Sequence, residues 1–269
     1  MSTLSKQVRK FAVGAMLTVG AATVSSAYAA GIFTVDPTAY YPAGSTFMAD
    51  FVSGSSTARV VNTSGTDYTS TGFITYTGFS LASSPIGAGV TGVTVGYGLY
   101  ATFTQTFTCP TLLNPGVTCT IDSIALDVFV DPGFHDTFTQ ATLAANPTVT
   151  DVGSNDVLLG SANFVVNGTA GINSLGGAFE NVNTNFLLTA AGSSYFINPV
   201  PFFNLAFSEF NNTSTGIACT PTTCLNATVV AITGESGGTQ FLRVPEPATL
   251  ALTGIGLIAA GFARRRRKG

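Results

Sequence analysis

A serine flanked by glycines is the first feature of the sequence with the potential for chemistry. Gly234-Glu235-Ser236-Gly237-Gly238 fits the pattern G-x-S-x-G, in which a sharp turn exposes a nucleophilic serine. A hydrolase of that kind needs a histidine after the serine, and the single histidine of the chain, His135, precedes it. The order His135, Asp151, Ser236 is the alternative, but the residues around His135 lack the small side chains and the cysteine that accompany a catalytic histidine in that arrangement. We therefore predict a glycine-rich hairpin turn here and no catalytic serine.

Carboxylates near His135 are the next candidates, because carboxylates can hold a metal ion. His135 lies in Asp131-Pro132-Gly133-Phe134-His135-Asp136, a loop with an imidazole between two acidic side chains. Further along, Asp151, Asn155 and Asp156 offer the oxygen ligands that calcium prefers, but their spacing matches no recognised calcium loop. A metal site needs two or three further ligands at defined spacing, and the sequence locates none. We predict a turn histidine, no metal and no cofactor.

Two further patterns carry little weight as evidence for an enzyme. Gly87-Ala88-Gly89-Val90-Thr91-Gly92 fits G-x-G-x-x-G, but a strand pattern follows where dinucleotide binding requires a helix, so a turn is expected. A pair of carboxylates can hydrolyse a glycosidic bond, yet the distance between them is a property of the fold. Because the chain has one histidine and no tryptophan, we predict that the protein is not an enzyme.

The distribution of charge excludes one class of partner. The chain has 10 basic and 13 acidic residues, and eight of the basic ones lie in the first ten and the last six residues. Only Arg59 and Arg243 remain between these ends, among all thirteen acids. A nucleic-acid binder needs a basic face to neutralise phosphates, so we predict no nucleic-acid partner.

The first 29 residues have the pattern of a secretory signal peptide. Lys6, Arg9 and Lys10 precede an uncharged stretch over residues 11–24, and the small residues of Ala27-Tyr28-Ala29 follow. We predict that signal peptidase cuts after Ala29, which makes residues 1–29 a signal peptide. A membrane anchor is the alternative, but the apolar run is short for a span of about 20 residues.

The last 26 residues, 244–269, have the pattern of a second targeting segment. Pro245-Glu246-Pro247 is followed by sixteen uncharged residues, 248–263, and then by Arg264, Arg265, Arg266, Arg267 and Lys268. At about 1.5 Å per residue a helix over this run is roughly 24 Å long, so it can insert transiently into the inner membrane with help from its flanks. The arginine cluster stops translocation and stays cytoplasmic, which leaves the Pro-Glu-Pro motif at the outer face of the membrane.

This three-part tail resembles the sorting signal of the PEP-CTERM proteins of Gram-negative bacteria. The resemblance rests on Pro245-Glu246-Pro247, the uncharged run and the arginine cluster, together with the signal peptide. It implies recognition by an exosortase, a membrane-embedded protease or transpeptidase that cuts near the motif and delivers the protein to the cell surface or extracellular matrix. An ordinary C-terminal membrane anchor is the alternative.

Residues 30–243 remain as one exported domain, and their hydrophobic pattern has the period of β-strands. Leu99, Ala101, Phe103 and Phe107 alternate with threonines, which predicts a strand with one buried face. The same period recurs in Ile124, Leu126, Val128 and Val130, with Asp127 outward, and again in Phe203, Leu205 and Phe207. No long helical period is present, so we predict an all-β fold, a single β-sandwich or jelly-roll-like domain.

Four cysteines fall into two close pairs, Cys109 with Cys119 and Cys219 with Cys224. An exported chain folds in an oxidising compartment, where an even number of cysteines at short separations predicts local disulfides. Three connectivities are possible, and we favour the two local ones. Zinc binding is the rival interpretation.

The body of the chain resembles the flocculation-associated PEP-CTERM proteins. The resemblance rests on the following segments: Phe33-Thr34-Val35-Asp36-Pro37-Thr38, Gly96-Tyr97-Gly98-Leu99-Tyr100-Ala101, Asp156-Val157-Leu158-Leu159, Gly176-Gly177-Ala178-Phe179 and Pro201-Phe202-Phe203-Asn204-Leu205-Ala206-Phe207. It implies a structural or adhesive protein that helps cells aggregate into flocs or biofilm with exopolysaccharide. The alternative is an exported carbohydrate-binding module or glycan-active enzyme, in which Tyr40, Tyr41, Tyr68, Tyr76 and Tyr195 would replace the missing tryptophans. A groove lined by tyrosines and carboxylates would favour that alternative.

Overall fold

A computed structural model describes residues 31–212 and 216–242. The predicted signal peptide and the sorting signal, with its Pro-Glu-Pro motif and arginine cluster, lie outside these residues. Within the described ranges no helix has the length and hydrophobicity needed to cross a bilayer.

Strands make up most of this part of the chain, and the helices are a single turn (α1) and a six-residue segment (α2). The first half contains Phe33–Val35 (β1), Phe47–Ala49 (β2), Phe51–Ser64 (β3), Asp67–Leu81 (β4), Ser84–Pro85 (β5), Ala88–Thr91 (α1), Tyr97–Thr108 (β6) and Val117–Pro132 (β7). The second half contains Thr137–Thr139 (β8), Thr148–Thr150 (β9), Val157–Ala162 (β10), Val165–Ile172 (β11), Ala178–Asn185 (β12), Leu187–Leu188 (β13), Ala190–Tyr195 (α2), Phe196–Asn198 (β14), Leu205–Asn211 (β15), Ile217–Thr220 (β16) and Val229–Leu242 (β17). The all-β class predicted from the sequence is confirmed.

Eight antiparallel strands close into a barrel in the order β11, β12, β15, β17, β3, β4, β6, β7. The closing contact joins β11 to β7, with Thr169 opposite Thr120 and Ile172 opposite Val117. The predicted sandwich or jelly roll is therefore wrong in its arrangement, because one sheet curls until its two ends pair. Curling is possible because β3, β4, β7 and β17 are each 14 to 16 residues long, and long twisted strands coil readily.

Strand β7 has two different neighbours on the same side. Residues 117–120 pair with β11 and close the barrel, whereas residues 126–130 pair with β10. β10 then carries the short strand β13 outside the barrel. This division of β7 places the start of β10 beside the end of β7, where the candidate site lies.

The inward rows of β6 and β7 follow the predicted alternation. Leu99, Ala101, Phe103 and Phe107 are buried, as are Ile124, Val128 and Val130, while Leu126 is partly buried. The predicted row of Phe203, Leu205 and Phe207 is only partly correct. Phe203 and Leu205 are buried, but β15 begins at Leu205 and turns Ala206, Ser208 and Phe210 inward. Phe207 is left half-buried on the outer surface.

The barrel core consists of two hydrophobic clusters. The larger one includes Phe79, Leu99 and Phe241 of the barrel and also Phe33 and Phe196. Phe33 lies in β1 and Phe196 in β14, two strands of the small sheet β14-β1-β2. The Phe33 ring packs edge-on against Phe241 with the ring centroids 5.2 Å apart, so this sheet seals one region of the core with aromatic side chains.

The second cluster is held by the two predicted disulfides. Cys109 is bonded to Cys119, and Cys219 to Cys224, which confirms the favoured connectivity. The two connections that carry the bridges, residues 109–116 between β6 and β7 and residues 221–228 between β16 and β17, contact each other, because Ala227 N donates to Leu113 O over 2.8 Å. The Tyr68 hydroxyl accepts from Leu113 N (2.8 Å) and donates to Ala227 O (3.0 Å), so a buried side chain joins both loops.

Candidate functional site

Three aspartates meet where β7 ends and β10 begins. One carboxylate oxygen of each of Asp131, Asp136 and Asp156 lies within 4.8 Å of the other two. The pairing of β7 with β10 explains the meeting of Asp131 and Asp156, because Val130 is opposite Val157 and the next residues of the two antiparallel strands are therefore neighbours. Asp136 reaches the same point after a tight turn at residues 131–134, in which Phe134 N donates to Asp131 O.

Backbone and side-chain donors fix one oxygen of each carboxylate. Asp136 N donates to Asp131 Oδ2 over 2.9 Å, and Val152 N donates to Asp136 Oδ1 over 2.9 Å. The hydroxyl of Tyr100 donates to Asp156 Oδ2. The remaining oxygens, Asp131 Oδ1, Asp136 Oδ2 and Asp156 Oδ1, are buried and have no hydrogen-bond partner. The three side chains are therefore oriented by one oxygen each, while the other oxygen is left without a donor.

The site is acidic, because three carboxyl groups lie close together. Burial is the main cause that raises the pKa of Asp156 to about 6, and the carboxylates of Asp136 and Asp151 raise it further, against the lowering effect of the Tyr100 hydrogen bond. Burial and the hydrogen bond to Asp156 also raise the pKa of Tyr100. Arg59, the only arginine or lysine in the described ranges, binds Leu143 O and Asn146 Oδ1 instead. Within the described part of the chain, neither arginine nor lysine therefore neutralises the three carboxylates.

The structure brings some of the candidate residues from the sequence together and leaves others apart. His135 lies in a turn, as predicted, where it is exposed and its ring folds over Gly133. Asp131 and Asp136 meet each other rather than the imidazole between them. Of the second group, Asp156 joins the cluster. Asn155 lies outside it and donates from Nδ2 to Pro132 O.

The sequence pattern does not reveal this cluster, because residues 131–136 and 151–156 belong to loops that are separate along the chain. They become one site only through the pairing of β7 with β10. The available signal was weak: an aspartate ends one predicted strand at residue 131, and another precedes the next strand at residue 156.

A second polar group lies inside the barrel, between the two hydrophobic clusters. Glu235 is 4% exposed and accepts a hydrogen bond from the Ser56 hydroxyl over 2.5 Å. Across the barrel, Gln105 Nε2 donates to Glu180 Oε2 over 2.6 Å. Burial is the main cause that raises the pKa of Glu235 to about 7; the Ser56 hydrogen bond lowers this pKa and the charge of Glu180 raises it. The cavity lined by Glu180, Gln105 and Glu235 has a volume of about 30 Å³, which is room for a water molecule and not for a substrate.

The motif around Ser236 is not a hairpin turn, so that prediction is wrong. It lies inside β17, where the register shifts between Thr233 and Glu235 and Gly234 adopts a φ of +68°. Such a β-bulge changes which side chains point inward, and here it turns Glu235 into the barrel and leaves Ser236 exposed. The similar glycine motif at 87–92 contains the single helical turn α1, which ends at Gly92 with a φ of +77°, in agreement with the predicted turn.

Comparison with protein families identifies the tail of the chain. The model of the PEP-CTERM protein-sorting motif matches residues 243–268, which include Pro245-Glu246-Pro247 and the arginine cluster. Searches of curated proteins and of solved structures gave no significant match. The predicted sorting signal is therefore confirmed, and it implies exosortase-dependent export to the cell surface with exosortase as the processing partner.

Proposed function

Because the chain is a PEP-CTERM sorting-motif protein, we propose that its β-barrel is a structural or adhesive component of the cell surface or extracellular matrix. In this role it contributes to cell aggregation, as floc or biofilm, together with exopolysaccharide. The sorting motif is the observation that carries the proposal, because it directs the barrel to the place where cells meet.

The position of the tyrosines supports this role over carbohydrate recognition. Of the five candidates for a sugar-binding platform, Tyr68, Tyr76 and Tyr195 are buried. Tyr40 and Tyr41 are partly buried against the larger core cluster. Sugar-binding faces need exposed aromatic rings, and none of these five tyrosines is fully exposed.

The placement of the carboxylates supports a non-enzymatic role. Glu180 and Glu235 line an interior cavity of about 30 Å³, which cannot admit a glycan. The three aspartates have their oxygens arranged around one point, and Asp131 is fully buried. A glycosidase needs two carboxylates that flank a bound sugar, which neither group offers.

Deletion and complementation of the gene in its host test the proposal. We expect deletion to reduce cell aggregation and a wild-type copy to restore it. A copy with Pro245-Glu246-Pro247 changed to three alanines should remain in the inner-membrane fraction and fail to restore aggregation, since the motif is read at the outer face. A copy with Thr249→Ala, just beyond the motif, is the matched control and should behave as wild type.

Unchanged aggregation in the deletion strain would overturn the adhesive role. Binding of exopolysaccharide by the purified exported protein would then decide whether the carbohydrate-binding alternative is correct.

A further inference from the structure

We propose that Asp131, Asp136 and Asp156 bind one calcium ion, which fastens the hairpin formed by the antiparallel pair β8 and β9 to the barrel wall. The inference does not depend on the adhesive role proposed above. It starts from the three buried oxygens that have no donor, Asp131 Oδ1, Asp136 Oδ2 and Asp156 Oδ1. Buried carboxylate oxygens are costly unless a hydrogen bond or a cation compensates them.

Asp131 is the observation that separates this site from an ordinary acidic surface. Its side chain is 0% exposed, and only Oδ2 has a partner, the backbone amide of Asp136. One of its oxygens lies within 4.8 Å of both other carboxylates. A calcium ion would offset the charge of a fully buried carboxylate beside two others, for which the described residues supply no neighbouring lysine or arginine.

The geometry fits calcium as it stands. Calcium binds oxygens at about 2.3–2.6 Å, so two of its ligands can be up to about 5 Å apart, and the 4.8 Å limit of the cluster lies inside that range. Magnesium demands near-ideal octahedral geometry, keeps several of its waters and is usually bound by only one or two carboxylates, so three carboxylates at one point favour calcium. Zinc prefers nitrogen and sulfur ligands, and this cluster offers only oxygen.

Further oxygen ligands for a hard cation such as calcium lie nearby. Asp151 is exposed and lies close enough to raise the pKa of Asp156, and its Oδ1 accepts from Asn155 N over 3.3 Å. Water supplies the remaining ligands of a site with three or four carboxylates. Such a site belongs with extracellular calcium modules, whose dissociation constants are about 10⁻⁴–10⁻³ M.

The ion would join three separate segments of the chain. Asp131 is at the end of β7, Asp136 just precedes β8, and Asp156 follows β9 and precedes β10. The hairpin between them packs on the outer wall through Phe138, whose ring lies 5.3 Å from Phe73 and 5.5 Å from Tyr100. Calcium therefore adds a second attachment at the base of this hairpin.

Terbium luminescence tests the site directly, because Tyr100 donates a hydrogen bond to Asp156 and the chain has no tryptophan. The experiment uses the exported protein purified from its host and stripped with EDTA. Excitation of tyrosine should sensitise one equivalent of terbium, and calcium should displace it at lower concentrations than magnesium. Calcium should also raise the melting temperature and slow proteolysis between residues 133 and 156.

The variant Asp136→Asn with Asp156→Asn removes two ligands from partly buried positions and spares the buried Asp131. We expect calcium affinity to fall at least tenfold and the calcium-dependent rise in melting temperature to disappear. Asp67→Asn with Asp122→Asn is the matched control, because these carboxylates share the Thr108 hydroxyl at another, exposed position. Its calcium binding should equal that of wild type.

Three results would overturn the proposal. They are absence of sensitised terbium emission, a melting temperature that calcium does not change, and equal loss of binding in both double variants. If the ligand variant fails to fold, the calcium effects on the melting temperature and proteolysis of the wild-type protein still decide the question.

Discussion

Glu235 is a buried carboxyl group that lowers the free energy of unfolding of the barrel when it is ionised. A β-bulge turns this carboxyl inward, where Ser56 is its hydrogen-bond donor and Glu180 is the nearest acid to raise its pKa. Burial raises the pKa of Glu235 from 4.5 to about 7. The folded state therefore prefers the neutral form of Glu235, whereas the unfolded chain ionises it from about pH 4.5 upward.

The stability of the protein should fall as the pH rises from about 5 to about 8. Between about pH 4.5 and pH 7 the unfolded chain has released the Glu235 proton while the folded barrel keeps it, so the free energy of unfolding decreases as the pH rises through this range. A shift from 4.5 to about 7 corresponds to roughly 3 kcal/mol. Glu235→Gln should flatten this decrease and raise stability at pH 8, as measured by urea unfolding at both pH values. Glu209→Gln, on the exposed face of β15, should leave the decrease in place; equal slopes in both variants would contradict the assignment.

At the scale of elements, the two disulfides close the loops that follow β6 and β16. Cys109–Cys119, with a sequence separation of 10, joins the residue after β6 to β7, and Cys219–Cys224, with a separation of 5, joins β16 to the loop after it. The loops are joined by the Leu113–Ala227 backbone bond and by the Tyr68 hydroxyl. Loss of either bridge should therefore affect the other loop.

Removal of the first bridge should cost more stability than removal of the second. Loop-closure entropy gives about 3 kcal/mol for Cys109→Ala with Cys119→Ala and about 2 kcal/mol for Cys219→Ala with Cys224→Ala. Because the loops contact each other, the loss in the fourfold variant should differ from the sum of the two losses, which urea unfolding can measure. A Cys109/Cys119 variant as stable as wild type would show that this bridge does not stabilise the exported protein.

At the scale of the whole molecule, the contact between β11 and β7 decides whether the sheet is open or closed. Gly171 lies on this seam, and a Cβ atom added there would be 2.2 Å from Val117 O. Only glycine allows the two backbones to approach as closely as barrel closure requires. Closure also removes the long strand edges on which self-association by edge pairing would depend.

Gly171→Ala should weaken the seam. The methyl group meets backbone rather than a movable side chain, so we expect the free energy of unfolding to fall by about 1–3 kcal/mol. Hydrogen exchange should accelerate for the amides of residues 117–120 and 169–172. Gly78→Ala in β4 is the control, since its nearest neighbour would be 3.8 Å away and little change is expected. Equal stability of the two variants would mean that the seam does not require glycine.

The sequence by itself determined what local patterns can encode. A run of apolar residues between charged ends predicts where the chain is sent, alternating side chains predict strands, and cysteines a few residues apart favour local disulfides in an exported protein. The sorting motif, the all-β class, the inward row of β6 and both disulfides follow from such patterns.

Only the tertiary structure decided what depends on pairing between distant strands. Barrel closure requires β11 to pair with β7. The inward position of Glu235 depends on the bulge in β17, and the side chains of β15 that point inward depend on the residue at which that strand begins. The three aspartates are 5 to 25 positions apart and converge because β7 and β10 are neighbours. A one-residue change of register reverses every side chain of a strand, so these outcomes are set by long-range contacts that no local pattern contains.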